Sequence, residues 1–422
     1  MLISFTVKNW KSFKDVATLN MVATNERHHN ERLHRNKKYK LRVLPTAAIY
    51  GGNASGKSNF INAIEFAQKL IVRGTSPEEV IPIISFALSE SNQNPSEFEF
   101  RILLQDSVFI YSFSLNRERV ISESLIKLHT NKEKIIFNRK GESFSAPHLQ
   151  KNDRLYMIAE ITPMNQLLLT RAVDSFHIDL KEIYSWFKNK LVIASPNDDF
   201  NAVNRLLLNI DFLNEVSTVM NHFDTGIHQL VAKPLDTTGT PPISVLELNY
   251  HKRGTSLFYK LDSQKRNLMQ LYQLATVHKD KNGEDIEFDF SMESDGSKRL
   301  MGILPNIIAF RKMEFTFIID ELDRSLHTHV SRKLIEDFFA GISENSRSQL
   351  IFTTHDVLLM NQELLRRDEM WVTERDENGA STLYSFSEFK DIRKDKDIRK
   401  SYLQGRLGGV PKILLDTAVT GE

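Results

Sequence analysis

Apolar and polar positions alternate with period two over residues 2–7 (LISFTV) and 16–22 (VATLNMV), predicting two strands around the polar turn KNWKSFKD. Residues 25–42 break the pattern with a polar, basic stretch that reads as a loop. VLPTAAIY then forms a short apolar run suited to a buried strand, and SNFINAIEFAQKLIV behind it has helical spacing. From about residue 85 to 140, segments such as FEFRILL, VFIYSFSL and KIIFNRK predict a small antiparallel sheet. Residues 164–232 read as mostly helical, broken near ASPNDDF, and 244–261 as a hairpin turning near Gly254. MESDGSKRLMGILPNIIAF is a loop opening a helix, EFTFIIDEL a buried strand ending in acids, and HVSRKLIEDFFAGI a helix. SQLIFTTHD is a further buried strand, followed by the strand pair EMWVTE and STLYSFS and a charged tail. Strands alternating with helices around glycine loops predict an α/β fold with a parallel sheet.

Composition narrows the class. The 422 residues predict two or three structural units, and 41% hydrophobic with 26% charged content is ordinary for a chain with a sizeable core. A net charge of +1 gives no general reason to expect a nucleic-acid binder. The absence of cysteine rules out disulfides and thiolate metal sites and fits the cytoplasm. Charges come too early in MLISFTVKNW for a secretory leader, and no apolar run approaches a membrane span.

The stretch GGNASGKS matches G-x-x-x-x-G-K-[ST] in the strand–loop–helix setting that pattern requires. Glycines let the backbone fold into a nest whose N–H groups face phosphate oxygens, and the next helix adds its positive end. Gly51, Asn53, Ala54, Ser55, Gly56, Lys57, Ser58 and Asn59 are the expected nucleotide-binding residues. Within them Lys57 neutralises the β- and γ-phosphates and the Ser58 hydroxyl ligates Mg²⁺. FTFIIDEL ends in Asp320, expected to hold Mg²⁺, and Glu321, expected to polarise the attacking water. LIFTTHD places His355 at another strand end, where it can sense the γ-phosphate. ESDGSKR offers Ser294, Gly296 and Ser297 at a helix start suited to an anion.

The order GGNASGKS, ESDGSKR, FIIDELDRSLH, FTTHD resembles the ABC-type ATPase set of Walker A, signature, Walker B with D-loop, and switch histidine. The signature SDGS departs from the commoner serine-glycine-glycine-glutamine and is similar to the RecF, SMC and OLD-like branch. FTVKNWKSFKD resembles that branch's N-terminal strand–turn, which implies that Lys11 and Ser12 approach the nucleotide. YLQGRLGGVPKI resembles the C-terminal stretch of small OLD-like ATPases of abortive infection and phage defence, of the RloA/AbiL and PARIS types. The branch's glutamine loop has only Gln166, in PMNQLLL, as a candidate.

The resemblance implies an ABC-type P-loop ATPase head with a small antiparallel β subdomain and a short helical insertion. Its expected divisions are an N-terminal lobe at 1–160, the insertion at 161–240, a C-terminal lobe at 241–375 and a tail at 376–422. ATP and Mg²⁺ are the implied cofactors, and a homodimer or larger homo-oligomer the implied assembly, each subunit's signature completing the other's site. No Toprim nuclease domain fits after the tail strands, so a separately encoded effector, nuclease or toxin, is expected. The helical insertion reads equally as a docking surface or as lobe packing. The cations of residues 25–42 suit a phosphate backbone or an acidic protein, and those of the tail alternate with acids as on a solvated face. An anti-phage sensor and scaffold, a RecF-like DNA-repair ATPase and a nucleotide-gated structural module are the three functions in play.

Overall fold

A computed structural model of the chain describes residues 1–88, 94–130, 132–174, 177–196, 209–234, 257–261, 269–389 and 397–410. The chain divides into two compact units, one of residues 1–191, 314–321 and 342–422, the other of residues 192–313 and 322–341.

Among the described residues the first unit holds two large sheets and one two-stranded pair. Strands Thr316–Ile319, Gln349–Thr353, Thr46–Tyr50 and Met370–Arg375 lie side by side in parallel, and Ser381–Ser385 adds an antiparallel edge. The first three are buried along their whole length, which is why they read as unbroken apolar runs rather than alternating ones. The other sheet is larger than the subdomain expected. Seven antiparallel strands run in the order Ser143–Ser145, Lys132–Lys140, Val120–His129, Ser107–Leu115, Ser96–Leu104, Leu2–Lys8, Ala17–Asn20. The N-terminal pair joins it because Phe5 and Val7 face the same side as Phe98 and Phe100 across the shared register.

Helix Lys57–Arg73 packs on this aromatic face. Phe60 lies 5.4 Å from Phe5, which meets Phe100 at 4.6 Å, and Phe66 lies 4.9 Å from Trp10. One buried glutamine stitches the two sheets together. The Gln349 Oε1 accepts from the Leu2 N–H at 2.6 Å and the Thr316 hydroxyl at 3.1 Å, and its Nε2 donates to the Leu2 and Leu44 carbonyls.

Two sequence expectations change here. Residues 25–42 are not simply a loop, for His34–Asn36 and Leu41–Val43 pair antiparallel. Leu33, His34, Asn36 and Val43 are buried among the exposed cations, a spacing that the charges conceal. Four of those cations are tied to the protein's own oxygens: Arg32 to the Leu364 carbonyl, Lys38 to that of Asp106, Arg42 to that of Thr24, and Arg35 to Glu344. The region 164–232 is only partly helical, with strands at Leu191–Ala194 and Gln229–Pro234. Most of the expected 244–261 hairpin and the tail residues 390–396 lie outside the described residues.

The second unit builds its own sheet on the long strand Met269–Lys279, which pairs antiparallel with Gln229–Pro234, Leu257–Leu261 and Asp285–Asp289. Helices Ile210–His222, Asp295–Ala309 and Thr328–Ala340 belong to the same unit, where Lys312 and Glu215 form an ion pair at 2.8 Å.

Candidate nucleotide site

Three loops of the first unit leave the same edge of the parallel sheet. Phe352 is level with Ile319 on one side and Ala48 on the other, so the strands leading to Asp320, His355 and the glycine loop end together. The carboxyl edge of such a sheet is where ligands bind. With one strand between them, Asp320 and the glycine-loop strand are about 10 Å apart across the sheet.

The loop is built by close approach. Gly51 has φ +147°, and a Cβ there would lie 2.5 Å from both the carbonyl and the hydroxyl of Thr373, so only glycine fits. Thr373 also holds the loop through its side chain, with Ser55 Oγ at 2.6 Å and the Tyr50 carbonyl at 3.3 Å. Lys57 is buried, and its ammonium donates to the Gly51 and Gly52 carbonyls at 2.8 and 3.0 Å. The charge is therefore held at the mouth of the loop. Asn53 and Ala54 are exposed, Ser55 and Gly56 buried, and Ser58 half-buried at the helix start. Asn59 faces the N-terminal turn, its Nδ2 donating to Ser12 Oγ at 2.9 Å and its carbonyl accepting from Trp10 at 2.8 Å. Ser12 thus reaches the loop, and burial draws the neighbouring Lys11 ammonium below its usual pKa range, with Glu65 opposing.

Thr353, which sequence reasoning passed over, organises the acids. It is fully buried, its hydroxyl donates to Asp320 Oδ1 at 2.6 Å, and the same oxygen accepts the Glu321 N–H at 2.7 Å. Asp320 is buried and Glu321 half-buried with φ +55°, a left-handed backbone rare outside glycine. Such strain persists where surroundings enforce it, and it commonly marks functional positions. His355 is exposed two residues beyond the end of strand Gln349–Thr353.

Gln166 does not join these groups. Its side chain donates to the Thr75 carbonyl, just past the far end of helix Lys57–Arg73. At 1.5 Å per residue that helix is about 25 Å long, which separates Gln166 from the glycine loop.

In the second unit, Ser294 caps helix Asp295–Ala309. Its exposed hydroxyl accepts from the Ser297 N–H at 3.1 Å and lies 3.0 Å from the Ser297 hydroxyl, which is buried. Gly296 lets the Ser325 carbonyl approach to 2.9 Å of where a Cβ would stand. Of the three signature positions, Ser294 is the one whose side chain is presented.

The stretch from the glycine-loop strand past the histidine, residues 47–361, matches the family model described as "AAA domain, putative AbiEii toxin, Type IV TA system". The chain belongs to that family. Among solved structures it is similar to an SMC head domain from Thermotoga maritima at 13% identity, covering 91% of this chain and 98% of that one with a TM-score of 0.38. A structure titled as the SmcHead bound to the C-winged helix domain of ScpA matches at 12% identity, 91% and 97% coverage and a TM-score of 0.37. No curated protein matches the chain. As a member of the AbiEii-type AAA family the chain carries an ABC-type P-loop ATPase fold with antiparallel sheets. Among its described residues no helix is long and apolar enough to cross a membrane.

The residues fit the group they are expected to hold. Ser58 and the buried Asp320 supply the hard oxygens Mg²⁺ prefers, and Lys57 the cation for phosphate. When bound there, the metal neutralises charge on the β- and γ-phosphates.

Proposed function

We propose that the protein binds and hydrolyses ATP, closes as a homodimer around two bound nucleotides, and so controls a separately encoded effector in bacterial defence against phage. The observation that carries the reading is the Thr353 hydroxyl joining Asp320 to a left-handed Glu321, on the same sheet edge as the buried Lys57. Glu321 accepts a proton from the attacking water, Lys57 and the loop N–H groups hold the phosphates, and His355 contacts the γ-phosphate. Ser294 of a second copy supplies the remaining hydroxyl, which makes ATP the adhesive between subunits and hydrolysis the release. The family's toxin–antitoxin description supports the defence role. The tethering of Arg32, Arg35, Lys38 and Arg42 weighs against a DNA-repair role that would use residues 25–42.

The test uses Glu321→Gln to retain ATP unhydrolysed. That variant should double in mass on adding ATP in light scattering, and a further Ser294→Arg should leave it monomeric while nucleotide affinity stays within about threefold. An ATP-dependent dimer that survives Ser294→Arg would overturn the shared site.

A further inference from the structure

We propose that the tail segment 397–410 is a positioning element of the nucleotide site, acting through the Gly409 carbonyl. The proposal rests on the reading that the glycine loop holds a triphosphate. The N–H of Gly52 donates to the Gly409 carbonyl at 2.9 Å, while the carbonyl of the same Gly52 accepts from Lys57 Nζ at 3.0 Å. Gly52 is therefore gripped on both sides, by the tail and by the phosphate-binding lysine. Two adjacent glycines, Gly51 and Gly52, leave that stretch of backbone free to rotate unless something outside the loop holds it. The tail does so from a distance of more than 350 residues in sequence.

The tail is itself firmly seated. Ile398, Tyr402 and Leu407 are buried, and the Tyr402 ring lies 6.1 Å from Phe386. The Tyr402 hydroxyl donates to the Gly409 carbonyl at 3.0 Å, so one oxygen serves both the tail and the loop. The Tyr384 hydroxyl lies 3.0 Å from both the Leu407 carbonyl and Glu374 Oε2, anchoring the approach to the glycine pair on the edge strands. Gly409 has φ +68°, and a Cβ there would lie 2.4 Å from Val372 Cγ1 and 3.3 Å from the Thr373 carbonyl. Thr373 is the residue that holds Ser55 and crowds Gly51. The tail and strand Met370–Arg375 together hold the loop from outside it.

Sequence supplies a matched control. Gly405 has nearly the same φ, +73°, but a Cβ there meets nothing within 4 Å. Gly405→Ala and Gly409→Ala carry the same left-handed penalty, and only the second pushes the tail off the loop. In the full chain, Gly409→Ala should raise the KM for ATP and the Kd for a fluorescent ATP analogue about tenfold, the worth of one lost hydrogen bond, with kcat within about twofold. Tyr402→Phe, which keeps the ring packing, should weaken binding in the same direction by a smaller factor. Gly405→Ala should leave KM unchanged and lower the melting temperature no further than Gly409→Ala does. The proposal is overturned if Gly409→Ala and Gly405→Ala shift KM alike, or if a folded Gly409→Ala binds the analogue as wild type does. Failure of the wild-type protein to bind ATP would instead overturn the nucleotide reading itself.

Discussion

Thr353→Val tests the arrangement of the acids with almost no change in volume. The substitution removes the donor to Asp320 Oδ1 and the acceptor of the Glu321 N–H, both within a site where Thr353 is wholly buried. Each loss costs about 1–3 kcal/mol, the carboxylate bond standing toward the upper end because its acceptor is charged. The left-handed backbone at Glu321 stores roughly 1–3 kcal/mol that these bonds help to hold. Losing about 2 kcal/mol of that restraint lowers the population of the aligned Glu321 about thirtyfold. Phosphate release at saturating ATP should therefore fall about 10- to 100-fold in Thr353→Val, with analogue binding within about threefold. Thr353→Ser, which keeps the hydroxyl, should stay within about threefold of wild type in turnover. A folded Thr353→Val with wild-type kcat would show that neither the strain nor the Asp320 contact matters to turnover.

Glu321→Gln should abolish turnover while ATP binding persists, and Lys57→Ala should abolish binding; isothermal titration separates the two, and a Glu321→Gln enzyme that still hydrolyses would remove that residue from its role. A pH effect follows from Glu369, whose carboxyl burial pushes up to about 8, with the Arg366 N–H at 2.8 Å opposing. The folded state keeps a proton that the unfolded chain loses above its ordinary value of 4.5, so this contribution is complete at acid pH and declines as pH rises toward 8. The decline is about 1.4 kcal/mol per pH unit inside that window. Glu369→Gln should flatten it, seen as a melting-temperature advantage over wild type that grows from pH 5 to 8, and parallel curves would refute the assignment.

Much of this was legible along the chain because the signals are local. A glycine loop needs its glycines and lysine within a few residues, and a fully buried parallel strand announces itself as an unbroken apolar run, as Thr46–Tyr50, Thr316–Ile319 and Gln349–Thr353 do. The acids and the histidine stand at the ends of such runs, which marks Asp320, Glu321 and His355 as strand-end residues from the sequence alone. Ser294 was legible as a helix cap for the same reason.

What only the tertiary structure decided are pairings between residues far apart in sequence, which leave no periodic trace. Gln349 reads as an ordinary polar residue until its amide is seen bound to Leu2 and Leu44. Thr353 reads as one more β-branched strand residue until its hydroxyl meets Asp320 and Glu321. Gln166 had the right residue type, but its hydrogen bond to Thr75 puts it at the wrong end of a helix. Burial in residues 25–42 and the sheet partners of Leu2–Lys8 were likewise settled by what lies opposite them. Local backbone preference and hydrophobic period can be read from neighbours in the chain, whereas hydrogen-bond partners are chosen only when folding brings distant segments within about 3 Å.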